Sequence, residues 1–157
     1  MPEISSRQEQ EITRILTGSH VVAVLGAHPD PRRPAHFVPR YLHEQGYDIL
    51  PVNPVRQDGE LWGRTPVATL AELRRPVDVV DVFRRSERLS AHVPDILAMD
   101  PLPKVVWFQQ GIRNDEVAQH LTQAGIDVVQ DACMLALHKK LGLNKDGGGE
   151  NAEEARR

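Results

Sequence analysis

The segment from Val21 through Ala27 is a continuous apolar run (VVAVLGA) that breaks abruptly into the loop HPDPRRP. A strand with one wet face alternates apolar and polar residues. This one does not alternate, so both of its faces are covered, which restricts the chain to a parallel sheet flanked by helices on two sides. Gly26 falls where the strand ends and the chain must turn closely. The residues beyond the loop read as a helix, whose free N–H groups and positive dipole end face whatever occupies the crevice, as a rule an anionic group. Positive charge gathers at the same place. Between Gly26 and Arg40 only Asp30 opposes Arg32, Arg33 and Arg40, in a chain of formal net charge -3.

The alternation of elements continues along the chain. Ser6 to Thr17 sets Ile12, Ile15 and Leu16 at helical spacing, behind a Ser5 or Ser6 cap and ahead of Gly18. The first strand, His20 to Leu25, leads to a helix over Ala35 to Gln45, with Phe37, Val38, Tyr41 and Leu42 on one face and Gly46 ending it. Tyr47 to Val52 reads as the second strand, stopped by Asn53 and Pro54. Residues 55–66 form a loop containing Trp62-Gly63, and Thr69 to Leu73 a short helical turn. Val77 to Phe83 is a third strand, Ser86 to Met99 a helix interrupted near Pro94, and Val105 to Phe108 a fourth strand. Asn114 caps a helix through Val117, Ala118 and Leu121 to Gly125. Ile126 to Val129 is the fifth strand, and Ala132 to Leu141 the last helix.

These elements predict an α/β fold: a Rossmann-like, doubly wound sheet of about five parallel strands with helices on both faces. One domain over residues 1–143 is expected. The tail 144–157 has almost no apolar residue to offset the entropy of ordering and is expected to be disordered. Ligands of such sheets bind outside the carboxyl ends of the strands. That selects Gly26 to Pro34, Asn53-Pro54, Phe83 to Ser86, Gln109 to Ile112, and Asp131 to Cys133.

Composition narrows the partners. The acidic balance and a pI near 6.2 argue against a dedicated nucleic-acid binder. The single cysteine, Cys133, excludes an internal disulfide and fits a reducing compartment. No signal-peptide core or bilayer-spanning run is present, so a soluble cytoplasmic protein with no membrane partner is expected. The seven histidines show no zinc-type spacing, and no metal site is expected.

The ligand is narrowed by what the loop lacks. A dinucleotide dehydrogenase would carry G-x-G-x-x-G after the first strand and an acidic residue after the second. Here the loop has one glycine followed by Pro29, Pro31 and Pro34, and the second strand ends in Asn53. A Walker loop is also absent from the sequence. What remains is a mononucleotide-type crevice with arginines beside it.

In this order, GAHPDPRRP, GYDILPVNP, VDVVDVFRRSE, VWFQQGI and DACMLALH resemble the stand-alone CoA-binding proteins. These are small Rossmann-like domains similar to the CoA-binding domain of the succinyl-CoA synthetase alpha subunit. The resemblance spans residues 18–143 and implies coenzyme A as ligand. It implies the diphosphate near Gly26, Ala27, His28, Pro29 and Arg33, and the adenosine end near Val52, Asn53 and Pro54. Phe83, Arg84, Gln109 and Gly111 would line the rest of the crevice. The chain departs from the family's usual residues at His28, Ala35, His36, Ala132 and Ala136.

Arg32 and Arg33 are both phosphate candidates, with Arg33 favoured because it lies nearer the helix start. Of Arg84 and Arg85, Arg84 is assigned to the ligand. Asp78 and Asp81 are read as hydrogen-bonded structural carboxylates near the ends of the sheet. Trp62, Trp107 and Phe108 are read as packing residues. No nucleophile, base and orienter set is visible, so the reading is a non-catalytic CoA or acyl-CoA module with no catalytic residue. Alternatives are a small CoA-dependent transferase or thioesterase using His28 or Cys133, and an NAD(P)-binding regulatory domain. A homodimer through the last helix, or an acyl-CoA enzyme partner, is the association the chain leaves open.

Overall fold

The computed structural model describes residues 4–55 and 57–144. Five strands form one sheet: β1 (Val21–Leu25), β2 (Asp48–Val52), β3 (Val79–Val82), β4 (Val105–Phe108) and β5 (Asp127–Val129). They are ordered β2-β1-β3-β4-β5 and every pairing is parallel. The chain leaves β1 toward β2 on one side and returns to place β3 on the other, so the sheet reverses its winding between β1 and β3. The expected doubly wound α/β fold is what the chain adopts. The tail expected to be disordered falls, at residues 145–157, outside the described residues.

Five α-helices cover the sheet: α1 (Ser6–Gly18), α2 (Pro34–Glu44), α3 (Leu89–Leu97), α4 (Asp115–Gln123) and α5 (Met134–Lys140). Helices α1, α2 and α5 cover one face, packing Ile15, Leu16, Val38, Leu42, Met134 and Leu137 against Val22, Val24, Val79 and Trp107. Helices α3 and α4 cover the other, with Val93, Ile96, Val117 and Leu121 against Ala23, Val80, Val82, Val106 and Phe108. Both faces of β1 are thus buried, which is why its residues show no alternation. Trp107 and Phe108 pack in the core as expected, at 0 % and 1 % exposure. None of the helices is long and apolar enough to cross a membrane among the described residues.

Two helices depart from their sequence expectation. The segment from Ser86 opens as a 3-10 turn over Ser86–Arg88, and α3 begins only at Leu89. Pro94 does not interrupt it. The ring frees the carbonyl of residue 90, four positions back, and Ser90 is exposed, so water meets that oxygen. The last helix starts at Met134, with Cys133 as its N-cap residue, two positions later than expected.

Asp78 and Asp81 part company. Asp78 Oδ2 accepts from the His20 and Val21 amides at 2.8 and 2.9 Å, and Lys104 Nζ stands 3.4 Å from Oδ1. Asp78 is therefore the satisfied structural carboxylate expected. Asp81 is not. It pairs in register with Val24 and Trp107 in mid-sheet, is 0 % exposed, and neither carboxyl oxygen has a hydrogen-bond partner among the described residues. Burial pushes its pKa well above the ordinary value, so the side chain is held as the neutral acid. Position along the strand decides this: Asp78 stands just before β3, within reach of the His20 and Val21 amides and of Lys104, whereas Asp81 lies inside β3 between two covered faces.

Candidate functional site

A cavity of about 840 Å³ opens at the carboxyl ends of the strands, beside the point where the winding reverses. One wall is the first turn of α2, from Arg33 to Val38; the opposite wall is the Phe83–Glu87 segment after β3. Gln109 to Ile112 after β4, together with Cys133, close the end. The apolar part of the lining comes from Phe37, Val38, Phe83 and Ile112, and the charged part from Arg33, Arg84, Arg85 and Glu87.

The α2 wall is shaped for an anion. Arg33 is its N-cap residue in extended geometry, Pro34 follows in the first turn, and no side chain caps the helix. Proline suits that place because the N–H it lacks would have had no helical partner. Pro39, further along, leaves the carbonyl of Ala35 without its helical donor. That carbonyl accepts from the His28 amide at 3.3 Å, tying the loop to the helix it precedes. His36 Nδ1 meets the His28 carbonyl oxygen at 2.8 Å and adds a second tie.

Within the loop, the Asp30 amide donates to His28 Nδ1 at 3.0 Å. The lone pair of a neutral imidazole therefore sits on Nδ1 and the proton on Nε2, which suits His28 to donate outward and not to act as a base through Nε2. Arg32 is engaged by Asp30, with Nε and Nη2 donating to its two carboxylate oxygens at 3.1 and 2.9 Å. By contrast, none of Arg33, Arg84 and Arg85 pairs with a carboxylate among the described residues. Of the two arginines offered by the sequence, Arg33 lines the cavity and Arg32 does not.

Gly26 ends β1 at φ 97°, a conformation that only glycine adopts readily. A Cβ there would lie 2.7 Å from the Phe83 carbonyl oxygen and 3.3 Å from Arg84 Cδ. The absent side chain is what lets the β1 and β3 ends close together and the Arg84 stem lie across the turn. Arg84 then donates from Nε to His92 Nε2 at 3.3 Å.

Of the residues expected to bind, Arg33, Phe83, Arg84, Gln109 and Gly111 share this cavity. Gly26, Ala27, His28, Pro29, Val52, Asn53 and Pro54 are not among its lining residues: Gly26 stands against Phe83 and Arg84, and Ala27, Val52 and Asn53 are buried. Asn53 Nδ2 donates to the Ala27 carbonyl at 2.7 Å and Oδ1 accepts from Val55, so this side chain ties the β1 and β2 loops together. Pro54 is exposed just beyond it, and Pro29 is exposed in the first loop. Gln109, 3 % exposed, accepts from the Met134 amide and orients the start of α5. Gly111 is held by its amide on Asp131 Oδ1 at 2.7 Å.

Phe37, Val38 and Glu87 also line the cavity, although nothing in the sequence marks them for it, and Ser86 does so from the strand-end segment that the sequence selected. The helical pattern assigned Phe37 and Val38 to the core, and Val38 is indeed 1 % exposed. Both lie one turn from the helix start, a position that reaches the crevice as well as the sheet.

Residues 20–139 match the family described as the CoA binding domain, and the chain belongs to it. Among its relatives, the uncharacterized protein YneT of Bacillus subtilis (strain 168) is 39% identical over 128 residues, covering 82% of this chain and 92% of that one. A solved structure of cell-free ID.343 from Thermus thermophilus is 51% identical, with a TM-score of 0.80 over 85% of this chain and 98% of its own. A hypothetical protein from Pyrococcus horikoshii OT3 is 33% identical, with a TM-score of 0.79 over 90% of this chain and 99% of its own.

Proposed function

We propose that this protein binds coenzyme A or an acyl-CoA at the carboxyl ends of its strands and acts as a non-catalytic binding module. Its partner would be an enzyme of acyl-CoA chemistry or a second copy of the chain. The observation that carries the reading is the set of three arginines around one cavity, none of them paired with a carboxylate among the described residues, facing a helix start that no side chain caps. Three arginines against the single carboxylate of Glu87 in the lining are suited to a diphosphate, and guanidinium forks give it orientation. The apolar lining beyond them suits a pantetheine arm and a thioester. Family membership supports the same ligand class.

The catalytic alternative lacks a base: the His28 lone pair already accepts from Asp30. Isothermal calorimetry with CoA, dephospho-CoA, NAD and NADP tests the reading. Saturable binding of CoA in preference to both nicotinamide nucleotides is expected. Absence of CoA heat, or preference for NAD or NADP, would overturn it.

A further inference from the structure

Arg84 is fixed at both ends. Its stem lies over Gly26, with Cδ 3.3 Å from where a Cβ would stand, and its Nε donates to His92 Nε2 on α3. An arginine side chain ordinarily has many rotamers, and freezing them on binding an anion reduces affinity. Here the freezing has already occurred in the folded protein. The Nε–H is engaged by an imidazole, and no carboxylate among the described residues pairs with the guanidinium at the cavity wall.

We propose that His92 is a positioning residue for the anion site: it holds Arg84 across the Gly26 turn with the guanidinium's Nη edge toward the cavity. The proposal rests on the reading of the crevice as a diphosphate site. His92 must be neutral to accept, with its proton on Nδ1 and its lone pair on Nε2. Burial, then the nearby Arg84 and Arg88, hold its pKa below the ordinary 6.5, while Asp95 on the same helix opposes them. A glutamate or aspartate at position 92 would orient the arginine too, but it would neutralise the charge needed for the ligand. Histidine supplies orientation without neutralisation.

The test is a double-mutant cycle read by CoA titration, with ¹H–¹⁵N spectra of the arginine Nε–H groups recorded on each variant. His92→Leu is expected to weaken CoA binding about five- to tenfold, the scale of one charge-assisted hydrogen bond. His92→Gln, whose side-chain oxygen replaces Nε2, is expected to bind within about twofold of the wild type. In an Arg84→Ala background, His92→Leu should cause no additional loss. Equal losses from His92→Leu with and without Arg84, or a His92→Gln defect as large as that of His92→Leu, would overturn the proposal.

The spectra separate this proposal from the ligand assignment. A distinct Arg84 Nε–H resonance, retained in His92→Gln and collapsed into the solvent-exchanging arginine envelope in His92→Leu, is expected in the absence of any ligand. If the wild type shows that resonance but binds no CoA, the functional reading fails and the clamp stands. If no such resonance depends on His92, the clamp itself is refuted.

Discussion

Gly26 and Asp81 make opposite demands on the fold. At Gly26 the backbone needs both a positive φ and an empty Cβ position. Gly26→Ala is expected to cost roughly 2 kcal/mol or more, combining left-handed strain with the 2.7 Å approach to Phe83; urea unfolding measures it. Asp81 instead is a polar group buried without a partner. Asp81→Val, which removes the orphaned carboxyl at similar volume, is expected to stabilise the protein by about 1–3 kcal/mol. Its pH dependence has a definite sign. The folded-state pKa lies above the unfolded 3.8, so wild-type stability is greatest with both states protonated and falls as pH rises through that window. The gain from Asp81→Val should therefore grow with pH from below about 4 upward. A gain that is constant with pH would mean Asp81 titrates normally. Gly26 was legible in the sequence because a glycine closing an apolar strand marks a turn too tight for a side chain. The isolation of Asp81 was not, since an aspartate three residues from Asp78 looks the same until the start of β3 is fixed between them.

At the scale of elements, α2 and α5 show how two helices are tied together beside the amino ends of β1 and β2, away from the site. Tyr41 Oη on α2 lies 2.7 Å from His138 Nδ1 on α5, and the Tyr47 ring stacks edge-on against the same imidazole. Tyr47 donates its own hydroxyl to the Leu16 carbonyl at 2.6 Å, and burial raises its pKa to about 12. Burial lowers the pKa of His138 below 6.5. The folded state therefore favours the neutral ring, and stability present above pH 6.5 is lost as pH falls from there through the lower folded-state value. Thermal melts between about pH 7.5 and 5.5 should show this decline, and His138→Gln should reduce it. Pro39 offers a second element-scale test. Pro39→Ala restores a helical donor to the Ala35 carbonyl, so α2 gains stability while the His28 amide exchanges faster with solvent. Unchanged His28 protection would show that the loop does not depend on that carbonyl. Helix existence was readable from Phe37, Val38, Tyr41 and Leu42. The division of Ser86–Leu97 into a 3-10 turn and α3 was not, because its cause is tertiary: Ser86 Oγ is drawn to the Arg113 amide at 3.0 Å.

For the whole molecule, the sheet order and the reversal between β1 and β3 place the carboxyl ends of β1, β3 and β4 around one cavity. This much followed from uninterrupted apolar strands such as VVAVL, which demand two covering layers. That Arg33 and Arg84 would lie at this cavity was also legible, Arg33 from its place at the helix start and Arg84 from its place just after a strand end. Their lack of carboxylate partners was not, because Asp30 was free to pair with either Arg32 or Arg33 until the loop took its shape. Nor was His92, whose relation to Arg84 depends on the phase of a helix that starts later than its pattern. The overall net charge of -3 with arginines clustered at one opening predicts that CoA affinity falls as ionic strength rises from about 0.05 to about 0.5 M, the range over which screening shortens below the size of the site.

The most direct test of the crevice assignment is amide chemical-shift mapping of the ¹⁵N-labelled protein during a CoA titration. The account predicts saturable shifts concentrated at residues 26–30, 33–38, 83–87 and 109–112, with smaller ones at 52–54. Shifts confined instead to the groove between α1 and β5, around Gln8, Ile12 and Val129, would contradict it.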